Sequence, residues 1–126
     1  MTKNRDFSGS TKFSNWLRQQ ELLDSKKGFV TTDLDYIWCN YKTEKFMIIE
    51  EKCQMQEVLY PQSGILKRIH KLCRADKKYM GCHRIKFQLE YPDDGGDIYL
   101  NDIKITKEEL LEFLQFKKSY KQLKNK

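Results

Sequence analysis

A chain of 126 residues and 15.2 kDa has room for one domain of ordinary size and not for two. With 39% hydrophobic residues, among them seven Phe, seven Tyr and two Trp, it has enough apolar bulk to fill a core, which excludes wholesale disorder despite 33% charged residues. The excess of 24 Lys and Arg over 18 Asp and Glu, a net +6, favours a polyanionic partner, and no apolar run nears the roughly 20 residues needed to cross a bilayer. The polar start, Met1 to Ser10, has no apolar stretch of signal-peptide type, so neither membrane insertion nor secretion is expected.

Residues 1–10 read as a flexible N-terminal arm and residues 11–126 as a single domain. Phe13, Trp16, Leu17, Leu22 and Leu23 recur near helical spacing, with Ser10 or Thr11 as cap and Gly28 as stop, which predicts helix one over Thr11 to Ser25. Phe29 to Tyr41 and Phe46 to Cys53 are rich in β-branched and aromatic residues on either side of the polar Lys42-Thr43-Glu44-Lys45, and so form a hairpin. Ile65, Leu66, Ile69, Leu72 and Cys73 give Ser63 to Arg74 one apolar stripe, helix two, whose other face is basic. Strands follow at His83 to Tyr91, Asp97 to Leu100 and Ile103 to Ile105, around turns at Pro92 to Gly96 and at Asn101-Asp102. Thr106 with Glu109 has the capping-box form ahead of Leu110, Leu111, Phe113, Leu114 and Phe116, which starts helix three; Lys117 to Lys126 is its fraying basic tail. The order α-β-β-α-β-β-β-α defines a mixed α+β, α/β-type domain.

Between Lys67 and Lys86 stand eight basic side chains and one acid, Asp76. Of these, Lys67, Arg68, Lys71, Arg74, Lys77 and Lys78 are the candidate DNA-binding residues, a segment that reads either as a solvated helix face or as a phosphate-binding surface. Cys39, Cys53, Cys73 and Cys82 lack the close pairing of zinc sites and the spacing of iron–sulfur ligands, and are expected as reduced thiols. Gly95-Gly96 lies among Asp93, Asp94 and Asp97, which suits a turn and repels phosphate.

The apolar run Phe46-Met47-Ile48-Ile49 leads directly into Glu50-Glu51-Lys52. In an extended strand alternate residues share a face, so Glu50 and Lys52 point together, and Gln54 joins them if the strand continues. Asp33 and Asp35 share a face of the preceding strand, and the hairpin brings one strand alongside the other, so that, depending on register, one Asp, one Glu and one Lys converge. Two hard carboxylates from neighbouring strands suit Mg2+ or Mn2+, and a nearby ammonium suits a water or a developing negative charge.

Asp35, fourteen intervening residues, then Glu50-Glu51-Lys52, set in a hairpin with a helix before and after, resembles the PD-(D/E)xK nuclease superfamily over about Thr11 to Tyr91. The match departs from the named pattern at Leu34, where Pro is usual. The resemblance implies a restriction-endonuclease-like αβββαβ core, here with a C-terminal helix, and metal-dependent hydrolysis of DNA. Carried onto this sequence, it makes Asp35 and Glu50 the metal ligands and Lys52 the catalytic lysine. Glu21 would be the acidic residue that such proteins often bring from the first helix, and Gln54 a contact to phosphate or water. Mg2+ or Mn2+ is the implied cofactor, DNA the partner and a homodimer the assembly, in the cytoplasm, or in the host cytoplasm for a viral protein. The same residues admit other readings: a non-catalytic nucleic-acid-binding or nuclease-inhibiting protein of the same fold, a protein-interaction adaptor, or carboxylates that merely guard strand ends.

Overall fold

A computed structural model describes residues 11–29, 34–56 and 62–125, the side chains of residues 62 and 63 excepted. The expected N-terminal arm and Asp33 lie outside the described residues. The chain divides into two units, Met1–Thr32 and Asp33–Lys126.

In the first unit, Thr11 caps α1 (Lys12–Arg18) by accepting from the Ser14 N–H. The helix is shorter than its apolar spacing predicts. The Gln20 side-chain amide donates to the Trp16 carbonyl at 3.1 Å, and Gln20 itself is extended. Two 3-10 turns, Glu21–Leu23 and Ser25–Lys27, take the place of the last helical turns. Asp24 caps the second of these and Gly28 closes it at φ 98°, a conformation natural to glycine.

The second unit is built on a five-stranded mixed sheet in the order β1-β2-β3-β4-β5, comprising β1 (Tyr36–Cys39), β2 (Phe46–Cys53), β3 (Tyr79–Phe87), β4 (Ile98–Leu100) and β5 (Ile103–Ile105). All neighbours are antiparallel except β2 and β3, which run parallel and are joined by α2 (Gln62–Cys73), as a parallel connection requires. Leu66, Ile69 and Cys73 pack α2 against Phe46, Ile48, Tyr79 and Cys82 on one face of the sheet. On the other face Met47, Ile49, Ile85, Phe87, Ile98 and Leu100 join α3 (Lys107–Leu114) and α4 (Tyr120–Lys124) in the main core. The alternation along β2 thus separates two apolar layers.

Further boundaries differ from expectation. The first strand begins at Tyr36, not Phe29, and residues 30–33 are outside the described set. β3 ends at Phe87 because the Asp94 carboxylate gathers the Glu90 and Tyr91 N–H groups, at 2.6 and 2.9 Å, into a turn. The strand starts at Tyr79, four residues before the expected His83, and runs through Gly81. The basic tail also does more than fray. Phe116 adopts φ 62°, Lys117 N–H donates back to the Glu112 carbonyl at 2.9 Å, and Ser119 with Gln122 forms a second capping box that starts α4. Leu123 then enters the core at 2% exposure.

The pairing of β2 with β3 contains a one-residue slip. Phe46 faces Tyr79, but Ile48 faces Cys82, so Met80 and Gly81 together oppose Met47. Because side chains alternate, this bulge reverses which face every later β3 residue occupies. It brings Arg84 opposite Glu50 and Lys86 opposite Lys52, while sending Ile85 and Phe87 into the main core. Gly81 sits at φ 105°, and a Cβ there would lie 2.7 Å from His83 Nε2, the atom that donates to the Met80 carbonyl at 2.8 Å. Gly81→Ala is expected to cost about 1–3 kcal/mol of stability by denaturant unfolding, and an unchanged midpoint would contradict the role given to the bulge. Leu123→Ala is expected to cost about 2–5 kcal/mol, with Lys124→Ala nearly silent; equal stabilities for the two variants would mean that α4 does not close the core.

Candidate metal and phosphodiester site

With Tyr36 paired to Ile49, the next position outward sets Asp35 opposite Glu50, so their side chains share a face. The contact is reciprocal. The Asp35 N–H donates to Glu50 Oε1 at 3.3 Å, and the Glu51 N–H donates to Asp35 Oδ2 at 2.8 Å. Beyond the last regular pair, each acidic side chain therefore stands in for a strand partner of the other segment's backbone. Asp35 is exposed, whereas Glu50 is fully buried at 0% exposure.

Burial holds the Glu50 carboxyl above its ordinary range. The Asp35 charge and a carboxyl–carboxyl hydrogen bond with Asp35 push the same way, against the Asp35 N–H and the Lys52 ammonium, which favour ionisation. Two neighbouring carboxyls favour a proton on one of them. Lys52, half-buried, lies two residues along on the Glu50 face, near enough for its charge to act on Glu50. The hairpin register, which the spacing left open, thus sets Asp35 opposite Glu50, with Lys52 farther along the same face. On the opposite face Glu51 Oε1 accepts from the Tyr36 hydroxyl at 2.9 Å.

The other predicted residues are placed differently. β2 ends at Cys53, and Gln54, at φ 53°, turns away from the strand and donates its N–H to the Leu89 carbonyl. The condition that would have aligned Gln54 with Glu50 and Lys52 is not met. Glu21 is an exposed residue opening a 3-10 turn of the first unit. Lys67, Arg68, Lys71 and Arg74 are exposed on or just after α2, and Lys77 and Lys78 on the turn into β3. The Phe46 N–H donates to the Lys78 carbonyl, so these two lysines lie at the far end of β2, four residues or about 13 Å along the strand from Glu50.

Charged residues that the spacing argument did not reach stand closer. Arg84 and Lys86 occupy the Glu50–Lys52 face of β3, and both meet Asp102. The distances are 3.2 Å from the Arg84 guanidinium to Oδ2 and 3.3 Å from Lys86 Nζ to Oδ1. Lys86 is only 3% exposed. Burial acts to raise the Asp102 carboxyl, but Lys86 and Arg84 outweigh it and hold Asp102 below its usual range. The alternation of Arg84 with Lys86 was visible in the sequence; their register against Glu50 and Lys52 was not. His83, on the core face, accepts from Asn101 Nδ2 at 3.0 Å and packs edge-on against Phe113. Burial holds its pKa down, which makes it a structural, neutral histidine. His70 hydrogen-bonds the Tyr79 hydroxyl at 2.8 Å.

Among the described residues no group of three or more His, Cys, Asp or Glu side chains is gathered as a metal cage. The Asp35–Glu50 pair still has the donor chemistry of a hard cation that keeps water or substrate oxygens as its other ligands. All four cysteines are free thiols. No helix among the described residues is long and apolar enough to cross a membrane. Comparison of the chain with family models, with curated proteins and with solved structures gives no match.

The raised Glu50 pKa fixes a sign for pH dependence in metal-free protein. Below the ordinary value of 4.5 both folded and unfolded chains hold the proton. Above it the unfolded chain releases the proton while the folded chain keeps it, so this group's contribution falls as pH rises until the folded carboxyl ionises. In chelator, Glu50→Gln is therefore expected to gain stability relative to wild type as pH rises from about 4 to 7. A difference in melting temperature that stays flat or shrinks over that range would refute the assignment.

Proposed function

We propose that the chain is a small metal-dependent deoxyribonuclease of the PD-(D/E)xK type. The observation that carries this reading is that Asp35, Glu50 and Lys52 share one sheet face, with the Asp35 and Glu50 side chains each accepting a backbone N–H from the other's segment. The hairpin, the α2 crossover and the parallel β3 support a restriction-endonuclease-like arrangement, although a third strand ahead of α2 is not among the described residues.

Asp35 and Glu50 would hold Mg2+ or Mn2+, which when bound supplies Lewis acidity for attack of water on a phosphodiester. Lys52 is placed to orient the attacking water or to stabilise negative charge growing on the phosphoryl oxygens. Burial of Glu50 excludes bulk water from one side of the pair, which strengthens each charge interaction there. The exposed cations of α2 attract the DNA backbone towards a site whose own acids repel it. One site per chain cuts one strand, so severing a duplex calls for two copies, and a homodimer belongs to the same proposal.

The test is cleavage of duplex, single-stranded and branched DNA by purified protein with Mg2+ or Mn2+. Chelator is expected to abolish it, and Asp35→Asn, Glu50→Gln and Lys52→Ala each to lower the rate by about 10²–10⁴-fold without loss of fold. Cleavage that survives Glu50→Gln and Lys52→Ala would exclude this site. Salt-sensitive DNA binding with no cleavage, indifferent to chelator, would favour the non-catalytic alternative.

A further inference from the structure

We infer that Arg84, aimed by Asp102, is a phosphate-binding residue for DNA, and that the turn between β4 and β5 exists to position it. The inference rests on the nuclease reading of the neighbouring acids and adds a binding element that the basic segment around α2 does not contain.

Three observations converge on it. First, the bulge at Met80-Gly81 puts Arg84 and Lys86 on the same sheet face as Glu50 and Lys52, directly across the parallel ladder. Adjacent strands lie about 4.8 Å apart, so a phosphodiester seated at the acids has Arg84 within a side chain's reach. Second, Asp102 engages the two cations with different oxygens, Oδ2 with Arg84 and Oδ1 with Lys86, while the Arg84 side chain keeps 43% exposure. A guanidinium has five N–H donors in a planar fork. One edge held by a carboxylate leaves the rest oriented towards solvent on the site's face.

Third, the turn is built at a conformational cost. Leu100 pairs with Ile103, leaving Asn101 and Asp102 as a two-residue loop, with φ 48° and 73°. Left-handed values at both positions belong to the type I′ hairpin, whose second residue is preferentially glycine. Asp102 occupies that position instead and supplies a carboxylate that glycine lacks. Asn101 locks the loop to β3. Its Oδ1 accepts from the Arg84 N–H and its own N–H donates to the Arg84 carbonyl, both at 2.8 Å. The Arg84 backbone and side chain are thus each fixed by one residue of the same turn, which is preorganisation of a binding group. Arg84 contacts substrate; Asp102 is a positioning residue.

The test is DNA binding by the full-length chain in chelator, titrated with salt, alongside steady-state cleavage. Arg84→Ala is expected to weaken duplex binding about tenfold and to reduce the slope of log affinity against log salt by about one. Its melting temperature should stay near wild type, because a half-exposed ion pair contributes little. Arg84→Lys should restore the slope but only part of the affinity, since the charge returns without the fork. Asp102→Asn should raise KM for DNA several-fold with kcat unchanged, and Lys107→Ala, on α3 and paired with Asp93, should leave binding as it was. Wild-type affinity and slope in a folded Arg84→Ala, or no duplex binding by the wild-type chain at low salt, would overturn the inference. If no DNA is cut under any metal while the Arg84 effect on binding persists, the nuclease reading falls and the phosphate contact stands.

Discussion

The second unit is organised around a buried carboxyl group. Glu50 continues a β2 strand whose preceding residues, Met47, Ile48 and Ile49, are all core, and an acid in that series is costly unless its oxygens are satisfied. The Asp35 backbone N–H satisfies one of them, and the Asp35 side chain in turn takes the Glu51 N–H. This exchange extends the β1–β2 pairing past its last regular rung and holds the buried Glu50 beside the exposed Asp35. A buried acid held this way is a local departure from the apolar pattern of the strand, the kind of departure that a functional site produces.

How much of this could be read from the amino-acid order depends on the range of the interactions involved. β2 was legible to the residue, because its apolar run and the Lys42 to Lys45 turn are local signals. The apolar stripe of α2 and the Thr106–Glu109 capping box were legible for the same reason. A period of two put Glu50 and Lys52 on one face, but that Asp35 stands opposite Glu50 is fixed by the hairpin register, which the sequence left open. The placement of Gln54 failed on one backbone angle, since no pattern in Cys53-Gln54-Met55 announces two successive left-handed residues.

What escaped was non-local. The parallel register of β2 against β3 is set through the α2 crossover, and neither strand carries a mark of it. α4 was hidden because its charged residues dominate the composition of the tail, while its contribution to the core comes from Leu123 with Tyr120 packed beside it. Asp102 read as an ordinary turn residue because its partners, Arg84 and Lys86, stand 18 and 16 positions upstream. Turn chemistry explains why a small polar residue sits there, and only the folded sheet explains why it carries a charge.

The extra residue at Met80-Gly81 acts as a parity bit for everything downstream in β3. With it, odd-numbered positions from His83 to Phe87 build the interior and the even-numbered Arg84 and Lys86 face the side that carries Glu50 and Lys52. Lose one residue there and the strand must either turn its isoleucine and phenylalanine outward or abandon its alignment with β2, so the length of this short stretch is as constrained as the glycine within it.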